Sequence, residues 1–297
     1  MIQGGKRLKG VNPLVNIELP LVTVVSISSS CGPDVLERTI KSVIRQDYPN
    51  LEYVIPDNGS QDGSVEVLKK YSDSISYWIS EPDPGLYRAM NKGYGLSTGE
   101  WICFMNVGDE FPESNSVISD MVKLIRGTNK KLVYSDVIMV NPQFRYLRKY
   151  SENLADNMLK GILRLNHQAM FAHRSLFEKI GIFEQNRFKI AADTYWYNKV
   201  LHEFGAGVFQ YAPFVMAHFY EDGISSKPES FTTMYKEDVQ IIRDFKRGKL
   251  NETLFYLDYV KRKFLAQLLY SFFRSGSLYK LYRKIKFTGS EKVQEVS

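Results

Sequence analysis

Between residues 21 and 105, short β-branched or apolar runs alternate with amphipathic helical stretches, and each run ends in small or acidic polar residues. Residues 21–28, LVTVVSIS, read as a buried strand feeding a loop. Gly32-Pro33-Asp34 follows. Pro suits a first helical turn, where its missing N–H costs nothing, and Asp is favourable beside the positive N-terminal end of a helix. Val35, Leu36, Thr39, Ile40, Val43 and Ile44 then form one apolar helical face, which Tyr48-Pro49-Asn50 stops. A second strand, Leu51 to Ile55, ends at Asp57-Asn58-Gly59-Ser60. The pattern continues with a helix from Ser64 to Tyr71, a strand from Ser76 to Ile79 and a helix from Leu86 to Gly93. The strand Trp101 to Met105 then runs into Asn106-Val107-Gly108-Asp109. Such alternation predicts an α/β fold with a mostly parallel, Rossmann-like sheet flanked by helices. Ligands of these sheets lie beyond the carboxyl ends of the strands. Asp57 and Asp109 both stand there.

The remainder is less regular. Leu132 to Val140 reads as a strand, 153–165 as a helix, and Ser175 to Ile180 as a short helix closed by Gly181. Residues 193–204 read as a helix carrying Tyr195, Trp196, Tyr197 and Phe204. With no internal repeat and no Pro/Gly-rich linker, 21–225 is expected to be one domain after an N-terminal extension, 1–20.

The formal charge of +6 is unevenly placed: Phe255 to Ser297 holds nine Lys/Arg against three Asp/Glu, so the rest is near neutral. The body therefore carries no electrostatic signature of a nucleic-acid binder. Within 226–297, an expected helical tail, residues 254–287 alternate Leu, Phe and Tyr with Lys and Arg at helical spacing, broken at Ser275-Gly276-Ser277. That pattern suits helices lying in an anionic membrane surface. It equally suits helices covering the domain or a dimer contact. There is no apolar run of eighteen residues to span a bilayer, and no apolar segment after MIQGGKRLKGVNP to make a secretory signal. A cytoplasmic protein, peripheral on the inner membrane face, is the expectation. Cys31 and Cys103 stand outside any Cys/His cluster and read as ordinary reduced thiols.

The chemistry is narrowed by what is missing. The chain has no GxxxxGK[ST], no GxGxxG after the first strand and no HExxH. Without a glycine-rich cradle, a nucleotide diphosphate would need a divalent cation bridging it to a carboxylate. Asp109 is the best placed carboxylate, and Gly108 beside it allows close backbone approach. On position alone an Asx turn explains Asp109 equally well. Asp57 poses the same choice, between turn chemistry and acceptance of a base N–H.

Taken in order, VTVVSIS, VIPDNGSQDGS and SEPDPGLYRAMNKGYGLSTGEWICFMNVGDEF resemble the donor-binding half of family 2 glycosyltransferases, which have the GT-A fold. NHQAMFAHRSLFEKIGIFEQNRFKIAADTYWYNKV is similar to their acceptor-side half. The resemblance divides the domain into a nucleotide-sugar-binding half, 21–112, and an acceptor-side half, 113–225. It implies that Asp57 contacts the nucleobase, that Asp83, Asn106 and Gly108 line the nucleotide-sugar pocket, and that Asp109 binds Mg²⁺ or Mn²⁺. It further implies that Asp193 is the general base on an acceptor hydroxyl, giving inversion without a covalent intermediate. His167 and Gln168 would line the acceptor side, and His218 is a further candidate for the metal or diphosphate. Three departures stand out: Asn58 beside Asp57, Arg88 where an acidic residue is usual, and Asn106-Val107-Gly108-Asp109 with fewer acids than many relatives.

The expected function is transfer of a sugar from a UDP- or GDP-sugar to a lipid-linked saccharide of a bacterial surface polysaccharide. Two competitors remain. A sugar-phosphate nucleotidyltransferase needs a glycine- and arginine-rich loop after the first strand, which SISSSCGPD does not supply. A non-catalytic nucleotide-sugar or membrane-surface binder would bind without turnover.

Overall fold

In the computed structural model the described residues are 1–11, 18–83, 85–140, 145–157, 162–221, 223, 230–245, 253, 256, 257, 260 and 292–296. After an unexpected strand, β1 (Ile2–Gly4), the first half follows the expected alternation: β2 (Val22–Val25), α1 (Pro33–Ile44), β3 (Leu51–Asp57), α2 (Ser64–Lys70), β4 (Tyr77–Ser80), α3 (Leu86–Leu96) and β5 (Trp101–Phe104). The second half adds α4 (Val117–Ile125), β6 (Leu132–Val140), β7 (Arg145–Lys149), α5 (Leu154–Asn157), β8 (Met170–His173) and α6 (Arg174–Ile180). It continues through α7 (Ala192–Phe204), β9 (Phe209–Tyr220), α8 (Ser230–Asp244) and β10 (Lys292–Val296).

The strands form one sheet in the order β1-β4-β3-β2-β5-β8-β6-β7-β10, with β9 also on β6. β2 pairs in parallel with β3 and β5, and β3 with β4. The loops after β3 and β5 therefore open on the same edge. β8 runs antiparallel to β5, with Trp101 opposite His173. Its starting end thus lies where β5 finishes, and the 3₁₀ turn His167–Ala169 just before it is delivered to that edge. This antiparallel step, together with β7 and β10, makes the sheet mixed rather than wholly parallel.

Burial explains the parallel half. Val22, Thr23, Val24 and Val25 have no exposed surface, as expected of a central strand covered on both faces. α3 packs closely over it because Gly93 has no side chain: a Cβ there would sit 2.3 Å from Val25 Cγ1. The N-terminal extension is part of the fold. β1 pairs antiparallel with β4, and Arg7 reaches the buried Glu52 carboxylate and the Leu96 carbonyl. Glu52 also accepts from the Thr23 and Thr98 hydroxyls and the Thr98 N–H, so its buried charge is well supplied with donors.

Two expectations need correction. The helix over 153–165 does not hold: α5 spans Leu154–Asn157, and residues 162–166 are irregular. Leu163 gives both its N–H and its carbonyl to the Asn198 side chain, at 2.9 and 2.9 Å, so neither group serves a helix. The C-terminal tail is not helical throughout, because Lys292–Val296 pairs antiparallel with β7. The basic stretch 254–287 lies outside the described residues apart from Tyr256, Leu257 and Val260. Among the described residues, no helix is long and apolar enough to cross a membrane.

Candidate functional site

The loop after β5 carries Asn106, Gly108 and Asp109. Gly108 has φ 109°, a conformation side chains disfavour, and a Cβ there would face open space. Its carbonyl accepts from Arg38 Nη2 at 2.7 Å, and its N–H donates to the Thr39 hydroxyl at 3.1 Å. α1 therefore fixes the backbone on one side and leaves the other open. Asp109 is 7% exposed. Its Oδ2 accepts from Gln168 Nε2 at 2.6 Å, and its Oδ1 from the Tyr220 N–H at 2.9 Å. The end of β9 lies over this loop through paired backbone bonds between Glu110 and His218, 3.2 and 2.8 Å long.

Asp193 sits in the first turn of α7 and is 9% exposed. Its Oδ2 is 3.0 Å from His167 Nδ1, and its Oδ1 accepts the Thr194 N–H at 2.7 Å. The Tyr87 hydroxyl lies 2.9 Å from the same Oδ1 and 2.5 Å from the Ile190 carbonyl, sharing one proton between them. Burial alone would raise the Asp193 pKa, but the hydrogen bond and charge of His167 outweigh it and hold the carboxyl below its usual value. Tyr87 is pushed the other way, well above an ordinary phenol, by burial and then by the Asp193 charge. It stays a donor. Asp193 is thus ionised at neutral pH.

His167 and Gln168, neighbours in sequence, each hold one of the two carboxylates. His167 also reaches Asn106, whose Nδ2 is 2.9 Å from its Nε2. The chain Asn106–His167–Asp193 therefore crosses the sheet edge beside the Gln168–Asp109 contact. The buried Asn106 Oδ1 and Gln168 Oε1 have no hydrogen-bond partner among the described residues. Buried amide oxygens are normally paired, and a cation or ligand hydroxyl is what such acceptors suit. No group of three or more His, Cys, Asp or Glu converges among the described residues. Mg²⁺ and Mn²⁺ need none when one carboxylate and diphosphate oxygens share the ion, so the donor set at Asp109 fits.

The other expected residues divide. Asp57, 1% exposed, accepts from Ser60 N–H, the Ser60 hydroxyl and the Ser80 hydroxyl at 2.9, 2.6 and 2.6 Å. The turn role is plain. A carboxylate offers about four acceptor sites, so one remains for a base N–H. Asp83 donates its N–H to Asn58 Oδ1 at 2.5 Å, which gives Asn58 a use in place of a second acid. The Asp83 carboxylate meets Arg88 Nε at 3.0 Å and Lys92 Nζ at 3.7 Å. Arg88 therefore balances the Asp83 charge. The His218 ring lies 3.5 Å from Glu110 Oε1. That carboxyl also takes the Tyr220 hydroxyl at 2.8 Å. Burial would raise its pKa, but His218 and Tyr220 hold it low. His218 is thus beside the Asp109 loop with its ring turned to Glu110.

Sequence reasoning missed Tyr87, Glu110 and Tyr220. Tyr87 stood within LYRAMNKG, but nothing local pairs it with residue 193. Tyr220 contributes a backbone N–H, for which residue type carries no signal.

Comparison with known proteins bears on the family and the fold. The Glycosyl transferase family 2 model matches residues 24–182. A PGL/p-HBAD biosynthesis glycosyltransferase of Mycobacterium tuberculosis is 28% identical over 184 residues, 61% of this chain and 67% of the relative. An uncharacterized glycosyltransferase of the same species is 34% identical over 185 residues, 59% of this chain and 66% of the relative. Among solved structures, a Pyrobaculum calidifontis mannosyltransferase in complex with GDP-Man and Mn²⁺ aligns with TM-score 0.63 and 17% identity. It covers 95% of this chain and 88% of its own. S. aureus TarS 1–349 in complex with UDP-GlcNAc aligns at 0.58 and 16% identity, over 86% and 74% of the two chains. The sheet order is that of a GT-A-like fold, and the family match spans more than half the sequence: the chain belongs to glycosyl transferase family 2 and is a nucleotide-sugar-dependent glycosyltransferase.

Proposed function

We propose that this enzyme is a metal-dependent inverting glycosyltransferase in which Asp109 faces the donor diphosphate and Asp193 takes the proton of an acceptor hydroxyl. The reading rests on one observation: adjacent residues, His167 and Gln168, hold the two carboxylates beside one sheet edge. An alcohol is a weak nucleophile at neutral pH, and a carboxylate kept ionised by His167 can remove its proton as it attacks. Tyr87 and Thr194 fix that carboxylate by its other oxygen, leaving a lone pair of Oδ2 for the acceptor. Bound at Asp109, Mg²⁺ or Mn²⁺ would offset charge on the leaving diphosphate. Asn106 and Gly108 would meet the sugar nucleotide through a buried amide oxygen and an open backbone face, with Asp57 and Asp83 towards the nucleoside.

The presence of GDP-Man and Mn²⁺ in one fold relative and UDP-GlcNAc in another supports a UDP- or GDP-sugar donor. A lipid-linked saccharide acceptor, met at the inner face of the cell membrane through the basic tail, is the acceptor reading we favour.

Thermal unfolding with UDP-, GDP- and dTDP-sugars, with and without Mn²⁺, tests the donor half. A ligand at 100 times its Kd adds about 2.7 kcal/mol, so one nucleotide class should raise Tm, and raise it further with metal. Binding without metal-stimulated hydrolysis or transfer would instead identify a non-catalytic binder. The base is tested by His167→Ala. Losing the histidine leaves burial to raise the Asp193 pKa, so the acid limb of kcat/KM against pH should move towards neutrality. An unmoved limb would separate His167 from the base.

A further inference from the structure

α8 lies beyond the family match and beyond residue 225, where the catalytic domain was expected to end, yet it grips the segment that carries Asp193. Glu237, 8% exposed, points from α8 into the loop before α7. One of its carboxylate oxygens accepts the Lys189 N–H at 2.7 Å, and the other accepts those of Ile190 and Ala191 at 3.0 and 2.8 Å. Three consecutive backbone amides thus converge on one side chain. Ala191, the N-cap of α7, has no side-chain oxygen to cap the helix. A carboxylate from a distant helix takes up these backbone donors at the helix entrance, where negative charge is also favoured by the helix dipole.

The same loop is held from its other side. The Ile190 N–H goes to Glu237, while its carbonyl meets the Tyr87 hydroxyl, which also touches Asp193. The backbone two to four residues ahead of Asp193 is therefore pinned between α8 and α3. Further contacts keep α8 in place: Asp238 pairs with Arg164, Asp244 with Arg187, and the Phe245 ring lies 5.4 Å from that of Tyr195 on α7.

We propose that Glu237 is a positioning residue for the glycosyl-transfer base: by anchoring residues 189–191 it sets the first turn of α7 and the direction in which Asp193 faces the acceptor. The inference rests on the reading of Asp193 as base. It makes the segment after the family match part of the catalytic apparatus rather than an appendage.

The test measures Glu237→Ala and Glu237→Gln for kcat, donor KM and melting temperature, beside Asp193→Asn. Misplacing a catalytic group by about 1 Å can cost about 100-fold, so Glu237→Ala should lose on that order in kcat while donor KM holds. Glu237→Gln keeps one acceptor oxygen for Ile190 and Ala191, and should recover part of the loss. In an Asp193→Asn background, Glu237→Ala should cost no further rate, because its effect passes through that carboxylate. A folded Glu237→Ala enzyme with wild-type kcat overturns the proposal, as does an additive loss in the double variant. Should the alanine variant not fold, wild-type kcat in Glu237→Gln overturns it equally. Full transfer by Asp193→Asn would instead remove the base reading itself, an outcome separate from any result at Glu237.

Discussion

Asp193→Asn is expected to lower kcat by about 10²–10⁴-fold, the usual contribution of a positioned general base, while donor affinity stays unchanged. The substitution keeps size and shape, and the Asn carbonyl can still accept from Thr194 and Tyr87, which meet Oδ1 in the native enzyme. It removes the charge and the proton-accepting lone pair. Loss of rate without loss of donor binding separates a base from a binding residue: an interaction made only in the transition state lowers kcat and kcat/KM together. The stability signature is separate. Because folding depresses the Asp193 pKa, the native carboxylate adds stability above the ordinary Asp range, and this is lost as pH falls through the lower folded value. Asp193→Asn should lack that part of the acid dependence in melting curves recorded against pH. Unchanged turnover would refute the assignment.

The second large effect is expected at Asp109. Asp109→Asn should abolish the Mn²⁺-dependent rise in Tm with a nucleotide sugar and lower kcat by on the order of 10³-fold. Charge offset on a leaving group contributes several kcal/mol, and each 1.36 kcal/mol is tenfold in rate. Asn is a better probe than Ala here. Alanine would strip a buried acceptor from Gln168 Nε2 and the Tyr220 N–H, and such orphaned donors cost about 1–3 kcal/mol each. Metal-dependent binding that survives Asp109→Asn would place the cation elsewhere.

How much was legible in the sequence follows the range of each interaction. β6 and α7 were read almost to the residue because their apolar patterns are local and long. The loops after β3 and β5 were legible because a parallel alternation fixes which strand ends share an edge. The overlong helix at 153–165 failed for a long-range reason: Asn198, more than thirty positions away, claims the backbone of Leu163. The site divides in the same way. Asp57 and Asp109 could be picked out as carboxylates at strand ends, whereas Asp193 was named only through the family resemblance, which gave all three their roles. Their holders could not. Tyr87 meets Asp193 across 106 positions, Tyr220 offers Asp109 only a main-chain N–H across 111, and Glu237 reaches Ala191 across 46. None of these leaves a local pattern, and Arg88, conspicuous in the sequence, serves mainly to balance Asp83.

The proposed chemistry turns on the two carboxylates held by His167 and Gln168 facing one reaction centre. A crystal structure with a bound nucleotide sugar and Mn²⁺ tests it most directly. Electron density for the cation is expected between the diphosphate and Asp109, with the anomeric carbon turned towards Asp193 and room for one hydroxyl between them. A cation bound away from Asp109, or a sugar whose reactive carbon faces away from Asp193, would contradict it.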